Sequence, residues 1–302
     1  MINKLEMFIA VAREGHFGRA AESLGITQPT LSTGIKQLEA MLGVQLIFRG
    51  HRYGGLTPEG QRALVWARQL VGDARAFREE MRAARHGLAG HVRLAVIPTA
   101  LTWAAALSAR FAEAHPKLRF TILSRTSAEI LSMLENLEID AGLSYLDNEP
   151  LGRVTTVPIY TERYTLVCRA DHPLADRDSV GWSDLAGCRL CLLTPDMQNR
   201  RIINQNFMEA GVTPEAQVES NSTVVLVAHV GQGDWVTILP AEMARFLAEG
   251  TDLRILPLDR QRADHAVGLV APFREPHTPV TEALLKEAEK LARTGETVAF
   301  AR

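Results

Sequence analysis

FGRAAESLGITQPTLSTGIKQLEAMLGVQL, residues 17–46, is the stretch on which the fold turns. Phe17, Ala20, Ala21 and Leu24 recur at helical spacing, and Gly25 supplies the left-handed residue on which a helix ends. Thr27 offers a hydroxyl N-cap. Pro29 falls in the first turn of the next helix, where a missing N–H costs nothing. Leu31, Ile35, Leu38 and Leu42 give that second helix one apolar stripe, closed by Gly43. Gln28, Thr30, Ser32, Thr33 and Lys36 lie off the stripe. A short helix, a glycine turn and a second helix with a small polar free face form a helix-turn-helix signature. Two helices of an ordinary core are the plain alternative. Ala20-Ala21 followed by Gly25 and the Gln28-Pro29-Thr30 start weigh against it.

Working outward, Leu5, Phe8, Ile9 and Ala12 share one face of a preceding helix that Gly15 ends. On the other side, Val44–Phe48 reads as a short strand, residues 49–55 as a basic glycine-rich turn, and Leu56-Thr57 as the return. That is a hairpin wing, with Arg49 and Arg52 placed to reach phosphates. Thr57-Pro58-Glu59-Gly60 then opens the longest helix, running to about His86. Leu64, Ala67, Leu70, Val71, Ala74, Phe77 and Met81 form its stripe, with arginines on the other faces. A module of this size cannot hide so long a stripe, so the helix reads as a dimerising linker. Packing against its own second domain is the alternative.

The chain has 302 residues, 46% hydrophobic and 23% charged, which suits about two folded domains. Its net charge is −2, unevenly spread. Residues 1–90 carry 12 Lys/Arg against 8 Asp/Glu, and the remainder 21 against 27. A mildly basic front on an acidic body fits one DNA-contacting module with a different partner for the rest. Cys168, Cys188 and Cys191 are too few, and odd in number, for a disulfide scaffold. MINKLEMFIAVAREG is amphipathic and charged, and no window has the apolar length of a membrane span, so the expectation is a cytoplasmic protein. No cofactor fingerprint or metal-ligand spacing is present, nor any G-x-S-x-G, P-loop or H-E-x-x-H motif, so an enzyme is not expected.

From His91 onward strands alternate with helices, which predicts parallel sheets with crossover helices. Strands are expected at 91–97, 118–123, 139–143, 154–159, 189–193, 236–239, 253–256 and 266–270. Helices are expected at 101–114, 127–137, 200–210, 223–230 and 278–292. Crossings near 160 and 266 suggest two lobes with a cleft between them. The expected boundaries are 1–57 for the winged helix-turn-helix and 58–90 for the linker helix. The α/β body is 91–302, with lobe one 91–161 and 267–302 and lobe two 162–266. Ligands of open α/β sheets sit outside the carboxyl ends of the strands. That places Thr99, Ala100, Thr126 and Ser127 in lobe one, and Met197, Gln198 and Asn199 in lobe two, as candidate contacts. Hydroxyls and amides at helix N-termini suit an anion or carboxylate. A structural N-cap is the bland reading for each.

The spaced pattern Phe17, Ala20-Ala21, Leu24, Thr27–Ser32, Ile35, Leu38-Glu39, Leu42-Gly43, Leu46, Arg49, Leu56-Thr57 and Gly60 resembles the LysR-type transcriptional regulators of bacteria. The rest of the chain agrees in order and length. The resemblance implies a winged helix-turn-helix, a linker helix and a two-lobed α/β effector domain like periplasmic binding proteins. It implies homodimers that pair into homotetramers on double-stranded DNA, a small-molecule effector, tetramer geometry that changes with it, and contact with RNA polymerase. It places effector contacts at Thr99 and Thr126, while the free face of the second helix and the wing supply the candidate base or phosphate contacts, Gln28, Pro29, Thr30, Ser32, Thr33, Lys36, Arg49 and Arg52. Two departures stand out: Ile47-Phe48 in the wing, and Thr33-Gly34, short where many members carry a longer side chain. The polar segment Thr194–Arg201 is similar to segments of members that accompany formate dehydrogenase genes, which implies a small carboxylate such as formate. A thiol redox switch at Cys188 and Cys191, and DNA binding without any effector, remain as alternatives.

Overall fold

The computed structural model describes residues 1–48, 53–147, 151–259 and 264–294. Two compact units divide the chain. The first comprises Met1–Leu88 with the short segments Glu135–Glu138 and Pro276–Pro279. Its helices are α1 (Ile2–Glu14), α2 (Phe17–Ser23), α3 (Gln28–Leu42) and α4 (Pro58–His86). The local signals act as expected. Gly15 and Gly43 take φ of 56° and 69° at the ends of α1 and α3, and Thr27 Oγ1 accepts from Thr30 N. Leu5, Phe8 and Ile9 of α1, Ala20 and Ala21 of α2, and Leu31, Ile35 and Leu38 of α3 close on one core with Leu46 and Ile47. Each large apolar side chain buried there contributes roughly 1.5–3 kcal/mol.

Three details differ from the sequence expectations. Among the described residues, Val44–Phe48 is a minimal antiparallel pairing rather than a full strand: Ile47 bridges Leu56, flanked by Phe48 N donating to Gly55 O at 3.1 Å and Thr57 N to Leu46 O at 3.0 Å. Gly34 does not share the free face of α3. It is buried on the α1 side, where an added Cβ would run into Met7 Sδ. The α4 stripe also divides. Ala67 and Val71 are buried in the helix-turn-helix core, whereas Leu70, Phe77 and Met81 are exposed along with Val65 and Trp66.

The second unit holds two five-stranded sheets. Sheet one is built from β1 (Gly90–Val96), β2 (Leu118–Ser124), β3 (Ala141–Tyr145), β4 (Val154–Glu162) and, late in the chain, β10 (His265–Pro272). Sheet two takes β5 (Tyr164–Arg169), β6 (Arg189–Leu193), β7 (Ala216–Ser220), β8 (Trp235–Pro240) and β9 (Leu253–Pro257). Their orders are β2-β1-β3-β10-β4 and β7-β6-β8-β5-β9. The sheets are mixed rather than parallel. In sheet one β10 runs antiparallel to both β3 and β4, and in sheet two β5 runs antiparallel to both β8 and β9. These are the strands next to the crossings, which enter or leave each sheet at the edge where the preceding parallel strand ends.

Helices α5 (Leu101–Ala114), α6 (Ser127–Glu135), α7 (Gln198–Glu209), α8 (Thr223–Val230), α9 (Ala241–Ala248) and α10 (Pro279–Thr294) complete the unit. Helix α9, which is absent from the expected helices, follows Pro240 directly at the end of β8. Strand β10 begins at His265 and β4 ends at Glu162, so the sheets exchange chain slightly outside the expected 161/162 and 266/267 boundaries. Among the described residues, no helix is long and apolar enough to cross a membrane.

Candidate functional site

Two surfaces carry chemistry. The first is the free face of α3. Thr27 caps the helix, so Gln28, Pro29 and Thr30 occupy its first turn, all exposed. Thr33 and Lys36 are exposed one and two turns on, and Ser32 is half-buried. Glu39 faces the other way: its Oε1 accepts from Leu46 N at 2.8 Å and Ile47 N at 3.2 Å, fixing the chain that leaves α3. Arg49 and Arg52 lie outside the described residues.

The second surface is the facing carboxyl edges of the two sheets. Strand β1 is followed by a 3-10 turn, Pro98–Ala100, which carries Thr99 and Ala100 into α5. Strand β2 is followed by Thr126 and α6, and β3 ends on Ser144 and Tyr145. In sheet two, β6 leads through Thr194 and Met197 into α7. One residue, Arg163, joins Glu162 of β4 to Tyr164 of β5. Glu162 pairs with His265 at the start of β10, and Tyr164 pairs with Pro240 at the end of β8. The crossing therefore leaves one carboxyl edge and enters the other, so both border one cleft.

All seven candidate effector residues are buried at these edges. They divide by hydrogen bonding. Thr126 is a structural cap: its Oγ1 accepts from Glu129 N at 3.1 Å and donates to Glu129 Oε2, which also takes Thr126 N at 2.9 Å. The positive end of α6 is thus already met by a carboxylate. Gln198 is held by Arg201, whose Nε lies 2.8 Å from Gln198 Oε1. By contrast Thr99 Oγ1, Ser127 Oγ and both amide atoms of Asn199 are buried without a hydrogen-bond partner among the described residues, as are Ser144 Oγ and Thr194 Oγ1. An unmade bond on a buried polar atom costs about 1–3 kcal/mol, so a row of them at one cleft favours a polar ligand. Asn199, Ile202, Ile203, Asn206 and Phe207 form the buried stripe of α7, which sets Asn199 over the carboxyl edge of sheet two. Ser127, Ile130 and Leu134 do the same for α6 over sheet one.

A group the sequence reading missed sits at the crossing. Glu162, 1% exposed, accepts from Tyr145 OH at 2.6 Å and Tyr164 OH at 3.0 Å on Oε2, and from Tyr160 OH at 3.2 Å on Oε1. Tyr160, Glu162 and Tyr164 alternate in the sequence, and that period-two spacing of hydroxyl, carboxylate and hydroxyl was the available signal. Tyr160 also stacks on Trp103 of α5 at 4.7 Å. Burial raises the Glu162 carboxyl above its ordinary range. The three phenols and the nearby Thr99 pull it back, although the Thr99 hydroxyl meets no partner at full hydrogen-bond geometry. Burial likewise raises the three tyrosines, so each keeps its proton.

An acid whose folded-state pKa is raised stabilises the fold below its unfolded value and loses that contribution as pH rises through the folded one. Glu162→Gln should therefore melt higher than the parent by a margin that widens as the pH rises above the ordinary carboxylate range of about 4. Calorimetric melts of the two proteins across that rise check this, and a constant margin would contradict it.

The thiols lie elsewhere in lobe two. Cys168 and Cys191 are fully buried, and burial pushes each up to about 11. Cys191 Sγ lies 3.4 Å from Leu226 O, and Cys188 precedes β6 with its own pKa also raised by burial. Among the described residues, no group of His, Cys, Asp and Glu is arranged to hold a metal ion.

Comparison with known proteins decides the family. Residues 2–61 match the bacterial regulatory helix-turn-helix of the lysR family, and residues 85–293 match the LysR substrate binding domain. The chain belongs to the LysR family. This LysR-type protein is a ligand-responsive, DNA-binding transcriptional regulator. It is 33% identical over 268 residues to a probable hydrogen peroxide-inducible genes activator of Mycobacterium avium, spanning 88% of this chain and 86% of that one. It is 27% identical to the DNA-binding transcriptional dual regulator OxyR of Escherichia coli K12, over 94% of each chain. Among solved structures it is similar to a full-length cysteine-to-aspartate variant of OxyR from Pseudomonas aeruginosa. That match has a TM-score of 0.73 and 25% identity, covering 97% of this chain and 96% of that one. These relatives are transcriptional regulators.

Proposed function

We propose that this LysR-type regulator reads its operator through the exposed face of α3. Gln28 meets a base edge, Thr30 and Thr33 lie along the groove wall, and Lys36 meets phosphate. Arg49 and Arg52 of the wing add backbone contacts, and Pro29 and Ser32 shape the first turn. Copies pair through α4 into dimers, which pair again into tetramers. A small molecule held at Thr99, Ala100, Ser127, Met197 and Asn199 alters how the paired reading heads are spaced, with RNA polymerase responding to the result in the cytoplasm. Thr126 and Gln198 position their neighbours.

One observation carries the DNA reading: α3 buries Leu31, Gly34, Ile35 and Leu38 and leaves Gln28, Pro29, Thr30, Thr33 and Lys36 exposed on one continuous face. Gln28→Ala should cost roughly 1–3 kcal/mol at one base position and relax specificity there. Footprints of parent and variant on the promoter upstream of the neighbouring divergent gene test this. Equal affinity for native and scrambled sites in both proteins would remove the placement. The relatives' names raise peroxide sensing, but Cys191 is buried and burial raises both its thiol and that of the half-buried Cys188, which does not favour a thiol switch.

A further inference from the structure

We propose that the cleft takes a small zwitterion, an amino carboxylate whose ammonium meets Glu162 and whose carboxylate meets the start of α7. This rests on the reading of the cleft as the effector site, and it deepens that reading.

The two edges of the cleft differ in charge. On the lobe-one edge Glu162 is buried, and its hydrogen-bond partners are all hydroxyls, with no cation among them. A carboxylate offers about four lone-pair sites, and three phenols fill three of them. Each phenol has only one proton to give. Once that proton is donated to Glu162, the remaining lone pairs of Tyr145 and Tyr160 can only accept, and the Tyr145 hydroxyl also faces that of Tyr164 at 3.3 Å. Glu129 already occupies the positive end of α6. His265, whose strand pairs with Glu162, has its Nδ1 2.9 Å from Asp147. This edge asks for donors and repels a free anion.

The lobe-two edge has the opposite character. Helix α7 starts without a side-chain cap and has no acidic residue in its first turn, where Arg200 and Arg201 stand instead. Arg200 is neutralised by Glu219 at 2.8 Å. Asn199, 3% exposed and set over the sheet edge, has both amide atoms unpaired. The Asn199 amide, the Thr194 hydroxyl and the first N–H groups of α7 can together receive a carboxylate. Formate, or any simple carboxylate, would satisfy this half and leave Glu162 unmatched. A simple amine would do the reverse. The carboxylate expected from the sequence is therefore one end of the ligand rather than the whole of it.

The test uses the full-length regulator and the protein amino acids, one at a time, in thermal-shift assays followed by calorimetry. Each one that binds is compared with its deaminated acid and its decarboxylated amine, and formate is run alongside. The expected result is binding of an amino acid, with both truncated analogues weaker by about thirtyfold or more. Glu162→Gln should abolish the response and Asn199→Ala should weaken it, with circular dichroism showing both variants folded. A deaminated acid or formate binding as tightly as its amino acid, and weakened by Asn199→Ala, would keep the effector site and overturn the zwitterion. An amino acid bound equally by Glu162→Gln would overturn the ammonium assignment. Binding indifferent to both substitutions would remove the cleft itself as the effector site. No response to any amino acid overturns the inference.

Discussion

Gly60→Ala should unfold the DNA-reading unit while leaving the two sheets folded. In an ordinary helix this substitution would add about 1 kcal/mol of stability. Here Gly60 lies in the first turn of α4, buried against the chain that leaves α3, and an added Cβ would run into the Leu46 carbonyl oxygen. Backbone cannot step aside as a flexible side chain does. Leu46 is moreover pinned, because its N–H is held by Glu39 and its carbonyl takes Thr57 N at 3.0 Å. Thr57 Oγ1 in turn donates to Gln45 O at 2.6 Å and accepts from Gly60 N at 2.9 Å. Separating α4 from this joint should cost about 3 kcal/mol, a large share of what a small unit holds. Calorimetry should show an early, separate transition and gel shifts a loss of DNA binding. A variant that melts at or above the parent would show that the joint can relax.

Phe77→Glu combined with Met81→Glu should turn the assembled protein into monomers. Both side chains are exposed, at 66% and 49%, so charge there costs the isolated chain little. The same α4 also exposes Val65, Trp66 and Leu70. Apolar groups gathered on one long helix mark a surface that a second copy covers. Burying two carboxylates in that surface would oppose association strongly. A monomer reads one half-site and loses the effective concentration that links two, so operator affinity should fall about 10²-fold or more. Sedimentation velocity and gel shifts on whole and half operators measure both effects. Unchanged mass and affinity would place the dimer contact elsewhere.

How much of this was legible beforehand depended on distance along the chain. Caps and stops are local, so Thr27, Gly43, Thr57 and Pro58 could be read directly, and the helices they bound followed. Gly34 could not, because its burial depends on how closely α1 crosses α3, and that packing is not a local property. The α4 stripe divides for the same reason: Ala67 and Phe77 fit one periodicity, yet one is buried in the core and the other stands in the open. Strand direction depends on partners far apart in sequence, such as Glu162 with His265, so the mixed sheets looked parallel. At the cleft, residue types at helix starts led to the carboxyl edges of both sheets. They could not separate Thr126, whose hydroxyl is spent on Glu129, from Thr99 and Asn199, whose polar atoms are unpaired. Glu162 stands outside any pattern of anion-holding groups, because it is itself an anion.

Arg163 alone spans the crossing, and the residues flanking it both end on one carboxyl group. That makes the crossing a pivot of fixed length. The lobes can rotate about it but cannot draw apart there without breaking the phenol–carboxylate bonds. Adding a single residue between Glu162 and Tyr164 would turn every later side chain of β5 to its opposite face and swing the Tyr164 hydroxyl out of reach. The crossing thus behaves as a ruler as well as a joint: residues of the cleft walls can change without disturbing it, but the number of residues at this point cannot.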